Sequence, residues 1–185
     1  MKDILAIILG YWYRVKFKLL KRNIHVGEGL KVFKKLKIQG KGKILIGKNC
    51  IIKGIRGDSN QYVTLYTHDK GAVINIGNNA CLCAARISSK FAVTIGNDVL
   101  LEESGIMDTD FHSIERSRGL PPDEVKDKCE VIIGTRVSVG AKSIITKGVK
   151  IGDDVIIMPG SIVTKSVPSG CMVLGNPARI YKKLI

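Results

Sequence analysis

The chain has 185 residues, enough for one domain with a continuous core, and 45 % are hydrophobic although only 5 % are aromatic. The net charge of +14 is uneven, because residues 1–56 hold 15 Lys and Arg against two acidic residues while the rest is nearly balanced. Five cysteines without a CxxC pair exclude a disulfide framework, so we expect a reduced, cytoplasmic protein. The basic N-terminal third is either a solvated face or a surface for an anionic partner, such as a membrane or a phosphorylated substrate.

Residues 3–22 are predicted to form an amphipathic helix. The uncharged run from Ile4 to Tyr13 is too short to span a bilayer, and it lacks a signal-peptide cleavage pattern. We expect the helix to cap the open first edge of the following domain, which would otherwise promote aggregation. The alternative is that it lies in a membrane interface, with Tyr11 and Trp12 at the depth of the lipid headgroups.

Aliphatic residues recur every six positions in the second half of the chain. The repeating residues are Ile133, Val139, Ile145, Ile151, Ile157 and Val163, and the narrow residues four places later are Val137, Ser143, Val149, Val155, Ser161 and Val167. A period of six fits neither a helix nor a plain strand, so it predicts short flat strands joined by tight turns. Three such hexads make one triangular coil, and stacked coils make a parallel β-helix.

The same phase extends upstream through Ile95, Leu101 and Met107, whose side chains we therefore expect inside the stack. Two stretches interrupt it. Residues 55–73 are polar and irregular, which predicts a distorted coil or an excursion. Residues 113–130 are charged, contain two consecutive prolines and separate two regular parts of the repeat. A long loop that leaves a regular scaffold is a usual place for function.

The candidate chemistry lies immediately before that loop, where Asp108 and Asp110 stand within four residues of His112. A histidine can act as a general base near neutral pH, and a carboxylate can orient it and stabilise its charged form. The plainer interpretation is a loop histidine beside solvated aspartates. His25 and His68 form no short-spaced pair with each other or with His112, so we expect no metal site.

From about Ile44 onward the chain resembles the hexapeptide-repeat acyltransferases, and most of all the bacterial sugar O-acetyltransferases of the galactoside and nodulation types. The repeats, the D-x-D-F-H segment ending at His112 and the closing pieces GSIVTK and GNPAR carry the resemblance. It implies an all-β, left-handed parallel β-helix with one long loop, although parallel crossovers are otherwise right-handed. It also implies a homotrimer that binds acetyl-CoA between neighbouring subunits.

The resemblance also assigns roles to individual residues. His112, with Asp108 or Asp110 beside it, would take a proton from the acceptor as that atom attacks the thioester. Main-chain N–H groups at coil turns would stabilise the oxyanion and hold the pantetheine arm. The implied cofactor-binding residues are Ala141 at the thioester, Gly160 at the next turn, Thr164 and Lys165 near the adenine, and Arg179 and Lys182 near the phosphates.

Two positions depart from the family pattern. Pro159 precedes Gly160 and has no N–H to offer the pantetheine, so cofactor binding at that turn must differ in detail. Arg86 stands at a fourth hexad place that is normally small. Either the register slips and turns Arg86 outward, or Arg86 is a substrate-binding arginine that points into the cleft.

We therefore predict an acetyl-CoA-dependent O-acetyltransferase of a sugar hydroxyl in cell-surface polysaccharide biosynthesis, such as that of O-antigen or capsule. The acceptor would be a sugar, a nucleotide-sugar or a lipid-linked sugar. The alternative is N-acetylation of a nucleotide-linked amino sugar. A different class is a basic β-helix without catalysis that binds a membrane or nucleic acid, but aromatics are few outside the first 20 residues, so we expect no nucleic-acid partner.

Three regions are expected: an amphipathic helix over residues 1–23, the β-helix over 24–174 with its loop at 113–130, and a C-terminal tail over 175–185. The enzyme is expected in the cytoplasm, peripheral to the inner face of the cytoplasmic membrane through residues 1–22. The sequence leaves open the acceptor sugar, the acyl group and which aspartate orients His112.

Overall fold

The computed structural model describes residues 1–55, 58, 60–110, 120 and 123–184. Helix α1 covers Lys2–Leu20 and the short helix α2 covers Lys126–Cys129. The strands before α2 are β1 Ile24–Val26, β2 Lys31–Val32, β3 Leu36–Gly40, β4 Lys43–Ile46, β5 Ile51–Lys53, β6 Val63–Thr67, β7 Val73–Ile76, β8 Cys81–Cys83, β9 Arg86–Ser89, β10 Ala92–Ile95, β11 Leu100–Glu102 and β12 Gly105–Met107. The strands after α2 are β13 Val131–Ile133, β14 Ser138–Val139, β15 Ile144–Ile145, β16 Lys150–Ile151, β17 Ile156–Ile157, β18 Ile162–Val163, β19 Cys171–Gly175 and β20 Ala178–Lys183.

The strands form three sheets, one for each side of a triangular stack. The first sheet has the order β1-β4-β7-β10-β13-β16, the second β2-β5-β8-β11-β14-β17-β19-β20 and the third β18-β15-β12-β9-β6-β3. Each strand therefore pairs with the strand one coil away, in parallel, and only the final β19–β20 pair is antiparallel in the described part of the chain. The predicted all-β, left-handed parallel β-helix with an N-terminal helix is confirmed.

The hexad residues fill the core as predicted. All six repeating aliphatics from Ile133 to Val163 are buried, and so are all six narrow residues four places after them. Neighbouring coils stack these side chains in register, with Ile95 opposite Ile133 and Leu101 opposite Val139. A core this thin accepts branched aliphatics and leaves little room for rings, which explains the low aromatic content.

The upstream register differs from the prediction at one corner. Ile106, not Met107, lies opposite Ile145 in the core, and Met107 points outward. The corner before it is one residue shorter, because Leu101 lies opposite Val139 whereas Ile106, five positions later, lies opposite Ile145, six positions after Val139. The predicted inward position of Met107 was therefore wrong.

Glycines after the aliphatics are needed because coils approach closely rather than because the backbone needs a positive φ. A Cβ on Gly96 would lie 2.6 Å from the carbonyl oxygen of Gly134 in the next coil, closer than real Cβ atoms approach backbone.

The irregular stretch at 55–73 contains a regular strand after all. There β6 pairs in parallel with β3 and β9, and Val63, Leu65 and Thr67 are buried in alternation.

Helix α1 packs across the first coil and so occupies the open end of the stack. Its buried residues are the small Ala6 and Gly10 and the ring of Phe17. A Cβ on Gly10 would lie 1.8 Å from the carbonyl oxygen of Leu30, so only glycine permits this approach. The capping interpretation is supported, although the larger apolar residues of the helix remain exposed. No helix among the described residues is long and apolar enough to cross a membrane.

Candidate active site

The outer face of the third sheet carries a groove of about 440 Å³. Outward side chains of β6, β9 and β12 line it, because alternate residues of these strands face away from the core. The groove residues that bear on chemistry are Tyr62, Tyr66, Arg86, Ser88 and Met107. Two phenols, a guanidinium and a hydroxyl around an open groove are a suitable lining for a polar ligand with flat apolar faces.

Arg86 is exposed in this groove because the register slips in its coil. The corner between Leu82 and Ile87 is one residue shorter than a regular hexad, so that Ala85 and Ile87 are buried and Arg86 points outward. The Arg86 guanidinium donates one long hydrogen bond, 3.4 Å from Nη2 to the Oε1 atom of Gln61. A guanidinium carries five N–H donors, so most of its capacity remains for a ligand.

A histidine also borders the groove. Nε2 of His68 is hydrogen-bonded to the Oγ atom of Ser88 at 2.9 Å, and the His68 ring meets the Tyr66 ring edge to face with centroids 4.6 Å apart. These contacts hold Tyr66 and Ser88 in place. The described geometry therefore makes His68 a support for the groove.

Asp108 immediately follows β12 and is fully buried, with an exposed fraction of 0 %. Its carboxylate accepts hydrogen bonds from the Ser89 hydroxyl at 2.7 Å, the Lys90 N–H at 2.6 Å and the Phe91 N–H at 2.9 Å. A carboxylate with three donors is well satisfied despite its burial. Asp108 thus fixes the corner of the preceding coil to the start of the long loop.

The two ends of that loop meet in a polar cluster around Glu124. One Glu124 oxygen accepts from the Asp110 N–H at 3.0 Å and from Lys147 Nζ at 2.9 Å, while the other accepts from the Thr109 hydroxyl at 2.7 Å. Lys147 is also ion-paired with Asp110, and Lys90 Nζ lies 3.4 Å from Glu124. The base of the loop is therefore tied both to itself and to the coils on either side.

The electrostatics of this cluster keep it ionised. Burial raises the pKa of Glu124, but hydrogen bonds from Asp110, Thr109 and Lys147 outweigh burial and lower that pKa to about 2. Burial likewise acts to lower the pKa of Lys147, and its bonds to Asp110 and Glu124 overcome this and raise it. The Glu124 carboxylate and the Lys147 ammonium group are therefore both charged at neutral pH.

His112 lies outside the described residues. The described residues on its N-terminal side extend to Asp110, whose position is fixed by Glu124 and Lys147. Asp108 and Asp110 thus both have defined partners that anchor the segment leading to His112. The roles of His112, Asp108 and Asp110 in catalysis stay predictions.

Turns of successive coils stack at the corner that joins the second sheet to the third. The Gly160 N–H donates to the Ala141 carbonyl at 2.9 Å. Lys142, which follows Ala141, adopts a φ of 61°, and its N–H donates to the Glu103 carbonyl. The Ala141 N–H has no acceptor within the part of the chain that the structure describes. This amide is free to donate to a ligand, as the predicted role of Ala141 requires.

The remaining predicted cofactor residues lie apart from that corner. Thr164 and Lys165 follow β18, at the opposite border of the third sheet, and both are exposed. Arg179 and Lys182 lie on β20, exposed on the terminal hairpin that extends the second sheet. One protomer therefore does not gather all of these residues into one pocket.

Four residues of the groove and the loop base were not predicted from the sequence, namely Glu124, Lys147, Tyr62 and Tyr66. Glu124 is one acid in a charged loop, and only the folded chain brings it to Asp110.

Among the described residues, no group of three or more His, Cys, Asp or Glu side chains is placed to hold a metal ion.

No protein-family model matches the chain. A protein named as a candidate acetyltransferase, YvoF of Bacillus subtilis (strain 168), is 49 % identical over 51 residues, which make up 28 % of this chain and 30 % of that protein. The match thus spans less than a third of the relative's length.

Two solved structures are similar over most of the chain. AntD, an N-acyltransferase from Bacillus cereus in complex with dTDP and 3-hydroxybutyryl-CoA, is 19 % identical with a TM-score of 0.70, covering 91 % of this chain and 87 % of that one. A galactoside acetyltransferase in complex with coenzyme A is 22 % identical with a TM-score of 0.59, covering 100 % and 81 %. The fold is shared with these enzymes, and the predicted resemblance to sugar acetyltransferases of the hexapeptide-repeat type is confirmed at that level.

Proposed function

We propose that the protein is an acetyl-CoA-dependent O-acetyltransferase of a sugar hydroxyl in the synthesis of a cell-surface polysaccharide. The observation that carries the proposal is the position of the groove on the third sheet. Its lining ends at Met107, and the anchored residues Asp108 to Asp110 continue directly toward His112. A groove that presents phenol, hydroxyl and guanidinium groups beside the anchored residues Asp108 to Asp110 is suited to base-assisted transfer by His112.

In the proposed reaction, the acceptor hydroxyl oxygen attacks the carbonyl carbon of the acetyl thioester while His112 takes the hydroxyl proton. The oxyanion of the tetrahedral intermediate would accept a hydrogen bond from the Ala141 N–H, which has no partner within the described chain. Collapse breaks the C–S bond, and the CoA thiolate recovers the proton from the imidazolium. The products are the acetyl ester and CoA, with no acyl-enzyme.

The acceptor would lie along the groove. Tyr62 and Tyr66 offer flat faces for a sugar ring, and Arg86 offers N–H donors to hydroxyls or to a phosphate. The dTDP bound to AntD supports a nucleotide-sugar as one acceptor class, and a lipid-linked sugar presents the same phosphate chemistry. Since AntD is an N-acyltransferase, an amino sugar is the second candidate acceptor.

The acetyl-CoA site would be completed by a neighbouring protomer. Ala141 and Gly160 lie at one border of the third sheet, Thr164 and Lys165 at the other, and Arg179 and Lys182 on the terminal hairpin. One extended molecule could contact these places along a groove between subunits, as in the homotrimer that the family resemblance implies. The arginine and lysine would then pair with the CoA phosphates. We place the enzyme in the cytoplasm, where acetyl-CoA is available.

The test is release of the free CoA thiol from acetyl-CoA against a panel of sugars, nucleotide-sugars, amino sugars and lipid-linked sugars. Thiol release that depends on a hydroxyl acceptor supports the proposal. Release only with amino sugars would support the N-acetyltransferase instead. No release with any acceptor, together with no acetyl-CoA binding by calorimetry, would overturn both.

A further inference from the structure

The face of α1 that points away from the β-helix is apolar. The docked side of the helix is marked by Ala6, Gly10 and Phe17. At 100° per residue, the opposite side carries exposed large side chains. These are Ile4, Ile8, Tyr11, Trp12 and Leu19, with exposed fractions of 64 %, 58 %, 67 %, 50 % and 74 %. We call these five residues the outward face of α1.

Basic residues border the outward face on both sides. Lys16 lies on one flank, with its Nζ atom 4.5 Å from the centre of the Trp12 ring, and Lys18 lies on the other. Next to Lys18, a pocket of about 370 Å³ is lined by Arg14, Lys18, Lys21, Arg22 and His25. In sequence, residues 1–56 hold 15 of the 30 Lys and Arg but only two of the 16 acids.

We infer that the outward face of α1 docks on the surface of a bilayer that contains anionic phospholipids. Aliphatic side chains would enter the boundary of the acyl chains, and Tyr11 and Trp12 would sit at headgroup depth. The flanking lysines and the basic pocket would meet lipid phosphates. Charge complementarity favours this occupant, because basic residues on the border of an apolar face would lie at the depth of anionic headgroups.

The way α1 is held supports surface docking. Its small residues pack the helix closely against the first coil, and Arg14 pairs with Glu28 of that coil at 3.2 Å. The helix can therefore bind lipid without leaving the domain, so the stack would stand on the membrane by its first coil. This inference concerns the N-terminal surface and does not depend on the proposed acetyl transfer.

Trp12 is the only tryptophan in the chain, so its fluorescence reports on this face without a label. The experiment mixes the full chain with neutral phosphatidylcholine vesicles or with vesicles that also contain phosphatidylglycerol. We expect a blue shift of Trp12 emission and co-sedimentation with the anionic vesicles only. Lipids brominated on the acyl chain should quench the emission.

Point variants test which residues carry the binding. Ile4→Ser, Ile8→Ser and Leu19→Ser combined should weaken vesicle partitioning at least about tenfold, because three exposed aliphatics are removed from the lipid contact. Ile180→Ser is the matched control, since Ile180 is 51 % exposed on β20 and far along the stack from α1. Lys18→Glu should weaken partitioning by roughly tenfold, whereas Lys70→Glu should not.

Three outcomes would overturn the inference. Absence of both co-sedimentation and a blue shift with anionic vesicles would show that lipid is not the occupant. Unchanged partitioning of the triple serine variant would place any binding elsewhere. A blue shift that follows protein concentration without lipid, matched by self-association in ultracentrifugation, would assign the face to a second copy of the chain.

Discussion

The backbone N–H of Asp110 donates a 3.0 Å hydrogen bond to the Glu124 carboxylate, which joins two residues that lie 14 positions apart in sequence. The same carboxylate also accepts from Thr109 and Lys147. The entrance and the exit of the loop segment that contains His112 therefore share one anchor. We expect the precision of any chemistry at His112 to depend on that anchor.

The Glu124 anchor predicts a pH dependence of stability. The folded-state pKa of Glu124, about 2, lies below the ordinary value of 4.5. Its contribution is therefore fully present above pH 4.5 and is lost as the pH falls toward 2, with an upper limit of about 3 kcal/mol. Urea unfolding of the wild type should lose stability over this range more steeply than Glu124→Gln.

Glu102→Gln is the control for this experiment, since Glu102 is exposed on β11 and outside the cluster. Its unfolding free energy should follow the wild-type pH curve. Equal slopes for Glu124→Gln and the wild type would show that the carboxylate does not stabilise the fold.

Asp108→Asn should destabilise the β-helix by about 2–4 kcal/mol, because an amide cannot accept from all three donors that surround the buried carboxylate. Those donors are the Ser89 hydroxyl and the N–H groups of Lys90 and Phe91. The measurement is the free energy of unfolding in urea. Asp98→Asn, at an exposed aspartate that accepts from Asn79, should cost less than about 1 kcal/mol. Similar costs at both positions would contradict the assigned role of Asp108.

Arg86→Ala should raise the KM for the acceptor by about tenfold or more and leave the KM for acetyl-CoA unchanged, since the arginine lines the groove in which we propose that the acceptor binds. Both KM values are measured by steady-state thiol release, with the acceptor and acetyl-CoA varied in turn. Arg136→Ala is a matched control, because Arg136 is paired with Asp154 at 2.6 Å on a different corner. An equal rise in both KM values for Arg86→Ala would remove Arg86 from acceptor binding.

Gly10→Ala should destabilise the docking of α1 by about 1–3 kcal/mol, because its methyl group would overlap the Leu30 carbonyl. The direction of this change in stability is informative, since alanine normally stabilises a helix relative to glycine by up to about 1 kcal/mol. Gly71→Ala is the control, because nothing lies within 4 Å of a Cβ at that position. Hydrogen exchange of the α1 amides reports the loss of docking, and unchanged protection in Gly10→Ala would contradict the packing.

The regular part of the fold was predictable from the sequence, because few architectures place a core residue at every sixth position. Every hexad aliphatic from Ile133 to Val163 is buried. The prediction failed at Met107, because the corner between Leu101 and Ile106 is one residue shorter than a regular hexad, and nothing in the sequence marks the missing residue. The same shortening between Leu82 and Ile87 turns Arg86 outward, which was one of the two alternatives, and the outward side chain also lines the groove.

The candidate site was predicted less completely. The aspartates before His112 were recognised as important, but the sequence could not show that Asp108 caps the Ser89–Phe91 turn. Glu124 resembles any acid in a solvated loop until folding places it beside Asp110. The sequence predicted an amphipathic helix, but Ala6, Gly10 and Phe17 make the docking contact and the outward face of α1 stays exposed. Contacts of this kind join residues that are distant in the chain, so a single sequence does not reveal them.

The most direct test of the proposed function follows isotopically labelled acetyl groups from acetyl-CoA to a hydroxyl acceptor, with wild type and His112→Ala compared side by side. We predict that the wild type places the label in an ester on one sugar oxygen. The variant should bind acetyl-CoA normally but transfer more slowly by a factor of roughly 10²–10⁴. Label transfer at the wild-type rate by His112→Ala, or no labelled ester from either protein, would contradict the proposed mechanism.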